Sequence, residues 1–318
     1  MNSTLLTDNS EASLKKFLKT LAPVDAVGAS ARVEMLATRS IKTSSKNWAI
    51  DLAIRMVDLT TLEGADTPGK VKALCAKGVY PDPTDLSIPS VGAICVYNDM
   101  VKIAREALDN GGGKNIPVAA VTTAFPSGRA SMEVKIQDTK DAIANGASEI
   151  DMVIDRGAFL AGNLGLVFDE IKTIKEICGK DVHLKVILET GELVTLDNVR
   201  KASYLAMLAG GDFIKTSTGK VSPAATAPVV YVMLEAVRDF YKMTGIRIGV
   251  KPAGGIRNTK DAMKQLVLVN EIAGPEWLDP SLFRIGASAL LNDLLMQRMK
   301  MRDGYYASPN YVTLDERE

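Results

Sequence analysis

A single histidine in 318 residues is the most restrictive feature of this sequence. With His183 alone, a zinc site built from several imidazoles and a Ser-His-Asp hydrolase both lack their parts, so lysine and carboxylate must carry any chemistry. His183 itself begins an apolar run and is read as structural. Cysteine is equally scarce. Cys75, Cys95 and Cys178 form an odd set with no CxxC pair, which argues against a disulfide framework and suits a reducing compartment. Neither sign of charge is in excess, with 38 basic and 38 acidic side chains, so nothing points to nucleic acid or an anionic membrane. No window reaches the roughly 18 apolar residues of a spanning helix, and the first residues lack the apolar stretch of a secretory signal. The expectation is a soluble, cytoplasmic protein with a small-molecule partner.

A chain that is 47% hydrophobic and 24% charged can bury a full core, as two small domains or as one large α/β barrel. Eight short runs rich in aliphatic and β-branched residues decide between them: "IRMVDLT" (54–60), "VGAICVY" (91–97), "PVAAVTT" (117–123), "SEIDMVI" (148–154), "HLKVILE" (183–189), "DFIKTS" (212–217), "RIGVKPA" (247–253) and "LFRIGAS" (282–288). They are near-continuously apolar, as strands of a parallel sheet covered on both faces are. Helical spacing lies between them: Leu196, Val199, Ala202, Ala206 and Ala209 fall three or four apart before Gly210-Gly211 closes the helix. The runs recur about every 33 residues, the size of a βα unit. Eight such units predict a (β/α)8 TIM barrel over residues 46–302, with an N-terminal helical extension (1–45) and a C-terminal tail (303–318).

In that fold, functional residues come from the C-terminal ends of strands and the loops beyond them. Asp58 ends the first run, Asp151 lies in the fourth, Lys185 in the fifth, Lys215 ends the sixth and Lys251 the seventh. Lys215 and Lys251 fall on neighbouring strands, about 4.8 Å apart. Two ammonium groups that close in a low-dielectric mouth would repel, and one would give up its proton and become a nucleophile. The bland alternative is that both lysines snorkel to solvent. "AGGIR" (253–257) and "GAS" (286–288) follow the seventh and eighth strands, where barrels of this kind bind phosphate through backbone N–H groups and a helix N-terminus. Gly254, Gly255, Ile256, Arg257, Gly286 and Ser288 are therefore candidate anion ligands. Thr218, Gly219 and Lys220, in the loop after Lys215, would complete the cradle, unless these glycines merely turn the chain.

The strings "DLTTL" (58–62), "EIDMVI" (149–154), "KVILETGEL" (185–193), "DFIKTSTGK" (212–220), "KPAGGIR" (251–257) and "FRIGASALL" (283–291) resemble, in order, the signature segments of the deoxyribose-phosphate aldolases, which are class I (Schiff-base) aldolases. The length resembles the longer eukaryotic-type members. The resemblance implies Lys215 as the Schiff-base lysine, Lys251 as the lysine that perturbs it, and Asp151 as the carboxylate working with a water in proton transfer. Asp58 and Lys185 match a charged pair supporting that relay, the alternative for Lys185 being a buried lysine held by a carboxylate for structure. The implied reaction is reversible cleavage of 2-deoxy-D-ribose 5-phosphate to glyceraldehyde 3-phosphate and acetaldehyde, without metal or organic cofactor. Expected partners are the sugar phosphate and aldehydes, with a second copy of the chain as the macromolecular partner considered.

Two positions depart from the family's compact bacterial members. Ala289 stands where they carry a second phosphate-touching serine, and Tyr305, Tyr306 and Tyr311 lie near the end of the chain where those enzymes end on a helpful tyrosine. Cys95, near the mouth of the second strand, is expected to line the pocket, more as a small apolar packer than as a nucleophile. Tyr97 and "TTAFPSG" (122–128) are expected in its wall. Two other classes stay open on the residues: a non-catalytic phosphate sensor on the same barrel, and another lysine-based barrel enzyme such as a transaldolase or a pyridoxal-phosphate enzyme.

Overall fold

Each of the eight apolar runs contains one strand in the computed structural model, which describes residues 5–6, 8–42 and 44–313. The strands are β1 (Val57–Thr60), β2 (Ala93–Tyr97), β3 (Val118–Thr122), β4 (Glu149–Val153), β5 (His183–Ile187), β6 (Phe213–Lys215), β7 (Gly249–Lys251) and β8 (Ile285–Ala287). They pair in parallel in the order β7-β6-β5-β4-β3-β2-β1-β8, and bridges Val250–Phe283 and Ala253–Gly286 join the two ends into a barrel. The helices among the described residues are α1 (Glu11–Leu18), α2 (Ala26–Ala37), α3 (Ser44–Met56), α4 (Pro68–Val79), α5 (Val101–Asn110), α6 (Met132–Ala144), α7 (Arg156–Leu160), α8 (Leu164–Cys178), α9 (Leu196–Leu208), α10 (Ala227–Thr244), α11 (Thr259–Ile272) and α12 (Leu290–Asp303). None is long and apolar enough to cross a membrane.

Local chemistry accounts for the element boundaries that aim the site. Thr195 caps α9 through its side chain and Asn258 caps α11, so both helices start immediately beyond the mouth loops. At the other end, Gly210 takes φ +99° and lets the chain turn from α9 into β6 within four residues. Helix α3 runs directly into β1, while α1 packs on α8 and α9 and α2 packs on α10 and α11. The expected extension thus lies against the outside of the helical layer as far as it is described. Residues 1–4, 7 and 43 of the extension and the adjoining loop, and 314–318 of the tail, lie outside the described residues.

The near-continuous apolar strings conceal an alternation. Val57, Leu59, Ile94, Val96, Val118, Ala120, Ile150, Met152, Leu184, Val186, Ile214 and Val250 belong to one large core, shared with the helices. Their alternates point into the barrel, as the period of two requires. There Cys95, Ala119 and Val121 form a separate small apolar cluster with Leu62. On the other strands the inward positions include charged side chains, together with apolar ones such as Val153, Ile187 and Phe213.

Candidate active site

Seven charged side chains fill the interior of the barrel between β4 and β1, all of them buried. Asp151, central in β4, is their hub. Its Oδ2 accepts from Lys215 Nζ at 2.7 Å and from Lys251 Nζ at 2.8 Å, and its Oδ1 from Lys185 Nζ at 3.1 Å. Lys251 also meets Asp58 Oδ2 at 2.5 Å. Lys185 donates a short hydrogen bond to Glu149 Oε2, and Arg284, the residue before β8, reaches Asp58 Oδ1 at 2.7 Å and Glu149 Oε1 at 3.1 Å.

Lys215 and Lys251 are directly opposed in the β6–β7 register, as the spacing of their strands predicts. Their ammonium groups do not face each other bare, because one carboxylate oxygen serves both. Asp58 is the second residue of β1 rather than its last, which places it one level deeper than the end of its run suggests. Its contact with Lys185 is only 3.9 Å, whereas each has closer partners. The expected Asp58–Lys185 pair is therefore two residues of one network, bridged through Lys251, Asp151, Glu149 and Arg284.

The electrostatics separate the lysines. Burial and the nearby Lys251 charge together push the Lys215 amine below the ordinary lysine value, although Asp151 opposes them. Burial acts in the same sense on Lys251, but Asp151 and Asp58 outweigh it and hold Lys251 well above that value. Lys185 is also raised, because Asp151 and Glu149 overcome its desolvation. Desolvation would raise Asp151, yet Lys185, Lys215 and Lys251 keep it well below the usual carboxylate range. The arrangement thus pushes the Lys215 amine toward its neutral form while Lys251 and Lys185 are held toward the ammonium and Asp151 toward the carboxylate. A neutral amine is what attack on a carbonyl requires.

Lys215 lies at a cavity of about 860 Å³ that opens at the C-terminal end of the barrel. Thr218, Gly219, Lys220, Gly254, Gly255, Ile256, Arg257, Gly286 and Ser288, all the candidate anion ligands, line it. Glu189, in a left-handed conformation after β5, accepts hydrogen bonds from Thr218 N and Oγ1 and so fixes that loop. Thr216 Oγ1 accepts from Ala253 N at 2.9 Å, tying the β6 loop to the β7 loop. Gly254 and Gly255 both have positive φ, +81° and +88°, and a Cβ at Gly254 would stand 2.8 Å from Ala224 Cβ. Ala289, which also lines the cavity, is the N-cap residue of α12 and makes no side-chain cap. Lys220 Nζ reaches instead across the mouth to Glu63 Oε1 at 2.8 Å.

Two expectations are corrected. Cys95 does not line the cavity: it is fully buried in the interior apolar cluster, and burial raises its thiol pKa. Tyr97 and Phe125 meet edge-to-face with centroids 5.8 Å apart, and line a different, shallower hollow of about 600 Å³ with Asp99, Asp138 and Asp141. Tyr305, Tyr306 and Tyr311 are exposed and none lines the cavity; Lys300 sits over the Tyr306 ring at 3.9 Å. Glu149 and Arg284 were missed as site residues. The signal was available in strand periodicity, since Glu149 stands two before Asp151 and Arg284 two before Gly286.

A model of the DeoC/LacD family aldolases matches residues 52–295. The chain belongs to the DeoC/LacD aldolase family. It is 46% identical over 288 residues to the deoxyribose-phosphate aldolase of Homo sapiens, covering 87% of this chain and 89% of that one. The deoxyribose-phosphate aldolase of Mus musculus is 45% identical over 283 residues, 86% and 88% of the two chains. Among solved structures, an aldolase named QR15 is similar with a TM-score of 0.63 at 26% identity, over 78% of this chain and 97% of that one. A deoxyribose phosphate aldolase from Aeropyrum pernix, described as a tetramer, shares the fold with a TM-score of 0.62 at 21% identity, over 89% of this chain and all of that one. The family match spans β1 to β8, so the ionic network lies wholly within it.

Proposed function

We propose that this DeoC/LacD family member reversibly cleaves 2-deoxy-D-ribose 5-phosphate to D-glyceraldehyde 3-phosphate and acetaldehyde through a Schiff base on Lys215, using no metal or organic cofactor. The observation that carries the reading is the position of Lys215. It is the one amine of the network that borders the cavity, and it shares its only carboxylate with Lys251. The neutral amine attacks C1 of the open-chain aldehyde, and loss of water from the carbinolamine leaves a protonated imine. As the C3 hydroxyl loses its proton, the C2–C3 bond breaks and its electron pair moves into the imine, giving an enamine and glyceraldehyde 3-phosphate. Protonation of the enamine carbon, through a water held by Asp151 and Lys251, precedes hydrolysis to acetaldehyde. Lys185 and Asp58 hold that relay in place. The phosphate is received by Thr218, Gly219 and Lys220, by Gly254 to Arg257, and by Gly286 and Ser288 at the N-terminus of α12. These loops offer backbone N–H groups and two cations on one side of the cavity.

We assign the catalytic barrel to residues 46–302, treat 1–45 and 303–318 as appendages, and place the protein in the cytoplasm. The buried free thiols of Cys75, Cys95 and Cys178 support a reducing compartment. The test is borohydride reduction in the presence of acetaldehyde, followed by peptide mass mapping. The adduct is expected on the peptide carrying Lys215, and Lys215→Ala should abolish it and lower turnover by about 10,000-fold. A stable adduct on Lys251 or Lys185 would overturn the assignment.

A further inference from the structure

The ionic network contains four cations, Lys185, Lys215, Lys251 and Arg284, and three carboxylates, Asp58, Glu149 and Asp151. A buried cluster with one uncompensated charge is costly, and releasing one proton makes it neutral. Which cation yields follows from the pairing. Lys185 lies within 4 Å of all three carboxylates, Lys251 touches Asp58 and Asp151, and Arg284 touches Asp58 and Glu149. Among the described residues, Lys215 touches Asp151 alone. Arg284 cannot yield, since a guanidinium keeps its proton at any working pH.

We propose that Arg284 is a positioning residue of this aldolase site: clamped between Asp58 and Glu149 on the floor of the barrel, it supplies the permanent positive charge that makes Lys215 the group to give up its proton. The clamp is firm. Besides the two carboxylates, its Nη1 donates to the Gly92 carbonyl at 3.0 Å and its Nε to the Pro280 carbonyl. A Cβ at Gly92, whose carbonyl accepts from Arg284, would stand 2.5 Å from the Arg55 carbonyl, so the backbone here packs as closely as a glycine allows. By engaging Asp58 Oδ1, Arg284 leaves Oδ2 to Lys251; by engaging Glu149 Oε1, it leaves Oε2 to Lys185. Neither carboxylate is then free to compensate Lys215.

The β2 strand contributes the Cys95 thiol, and the inward residues of β3 near it, Ala119 and Val121, are apolar. Phe213 of β6 lies 6.0 Å below Lys185 Nζ. Asp279, outside the barrel, is exposed, and its hydrogen bonds from Ser281, with the charges of Arg55 and Arg284, hold its carboxyl below the usual range.

The inference rests on the Schiff-base reading, and its test is the pH dependence of borohydride trapping with acetaldehyde, which reports the neutral amine rather than turnover. Arg284→Met should move the acid limb of trapping at Lys215 upward by about one pH unit or more, because the freed carboxylates then hold the proton on Lys215. Arg284→Lys keeps the charge without the fork, so its limb should stay within about half a unit of wild type even where kcat falls. In Arg284→Met/Glu149→Gln the unpaired carboxylate is gone as well, and the limb should return toward wild type; this variant also avoids a buried orphan charge should the single variant fail to fold. An unmoved limb in Arg284→Met, a limb displaced upward in Arg284→Lys, or a double variant displaced as far as expected for the single would each overturn the inference while a Lys215 adduct in the wild type upheld the aldolase reading. A wild-type adduct on another lysine would overturn both.

Discussion

The two halves of the barrel interior are filled in opposite ways. From β4 round to β1 the inward positions carry Glu149, Asp151, Lys185, Lys215, Lys251, Arg284 and Asp58, a closed network of ion pairs. Across β2 and β3 the same layer holds Cys95, Ala119 and Val121, packed with Leu62. The contrast gives each half a task. Ion pairs alone would be no stronger than hydrophobic packing of the same volume, because desolvating the charges costs as much as their attraction returns. What the ionic half adds is a defined proton distribution. The apolar half keeps water away from the network and so keeps its charges strongly coupled.

The sharpest break in this comparison is Lys251→Leu, which makes part of the ionic half apolar. Lys251 holds both Asp58 and Asp151, and without it those carboxylates turn to Lys215. The sign follows directly. A carboxylate favours the charged amine, so the folded pKa of Lys215 rises, and each unit of that rise lowers the neutral fraction about tenfold below it. We expect kcat/KM at pH 7 to fall by about 100- to 1000-fold and to recover in part toward alkaline pH, measured as a pH–rate profile. An acid limb left where wild type has it would show that desolvation or another charge, not Lys251, sets the state of Lys215.

The apolar half and the barrel were legible in the sequence for the same reason. Aliphatic strings at a βα period admit few other folds, and all eight strands fall inside the runs. The lysines were legible because Lys215 and Lys251 each interrupt such a string at its end, where a barrel presents its chemistry. Glu149 and Arg284 were hidden by their position at the starts of their runs, where a charge reads as a solvated strand edge. The barrel's tilt brings these lower residues beneath Asp151 and Asp58, a relation of strands distant in sequence. Cys95 and Tyr97 illustrate the opposite error. Both are near a strand's C-terminal end, but one is sealed in the interior and the other faces the hollow over β2 and β3.

A smaller break puts a charge into the apolar half. Cys95 is close enough to feel Lys251, Lys215, Asp151 and Asp58, so Cys95→Asp would bring a fourth carboxylate to the network. Four cations would then meet four anions, and Lys215 could keep its proton. The expected result is about a 10- to 100-fold loss of trapping at pH 7, with the limb displaced upward. Cys95→Ser, similar in size but uncharged, should leave the limb in place and cost about 1–3 kcal/mol of stability. If the two variants behaved alike, packing rather than charge would govern this side of the barrel.

The gentlest change sharpens the comparison instead of breaking it. Val121→Ala removes two methyl groups from the apolar half, next to Cys95 and Leu62 and opposite Asp151 in the β3–β4 register, without adding or removing a charge. Deleting buried methyl groups destabilises through lost burial and through the space left behind, here about 1–3 kcal/mol. The melting temperature should fall by several degrees, at about 2–4 °C per kcal/mol for a chain of this size class. A small apolar void stays dry, so the surroundings of Lys215 should not change and its trapping limb should hold its position. Val121→Thr has almost the same volume but brings a hydroxyl that must find a partner or a water. A water admitted there would weaken the coupling between charges across the interior, letting Lys215 tolerate its proton and moving the limb upward slightly. Differential scanning calorimetry and borohydride trapping on the pair separate these effects: stability lost without a limb shift for Val121→Ala, and a limb shift for Val121→Thr. Equal limb shifts in both would mean that the apolar half shapes the network's geometry, not its dryness.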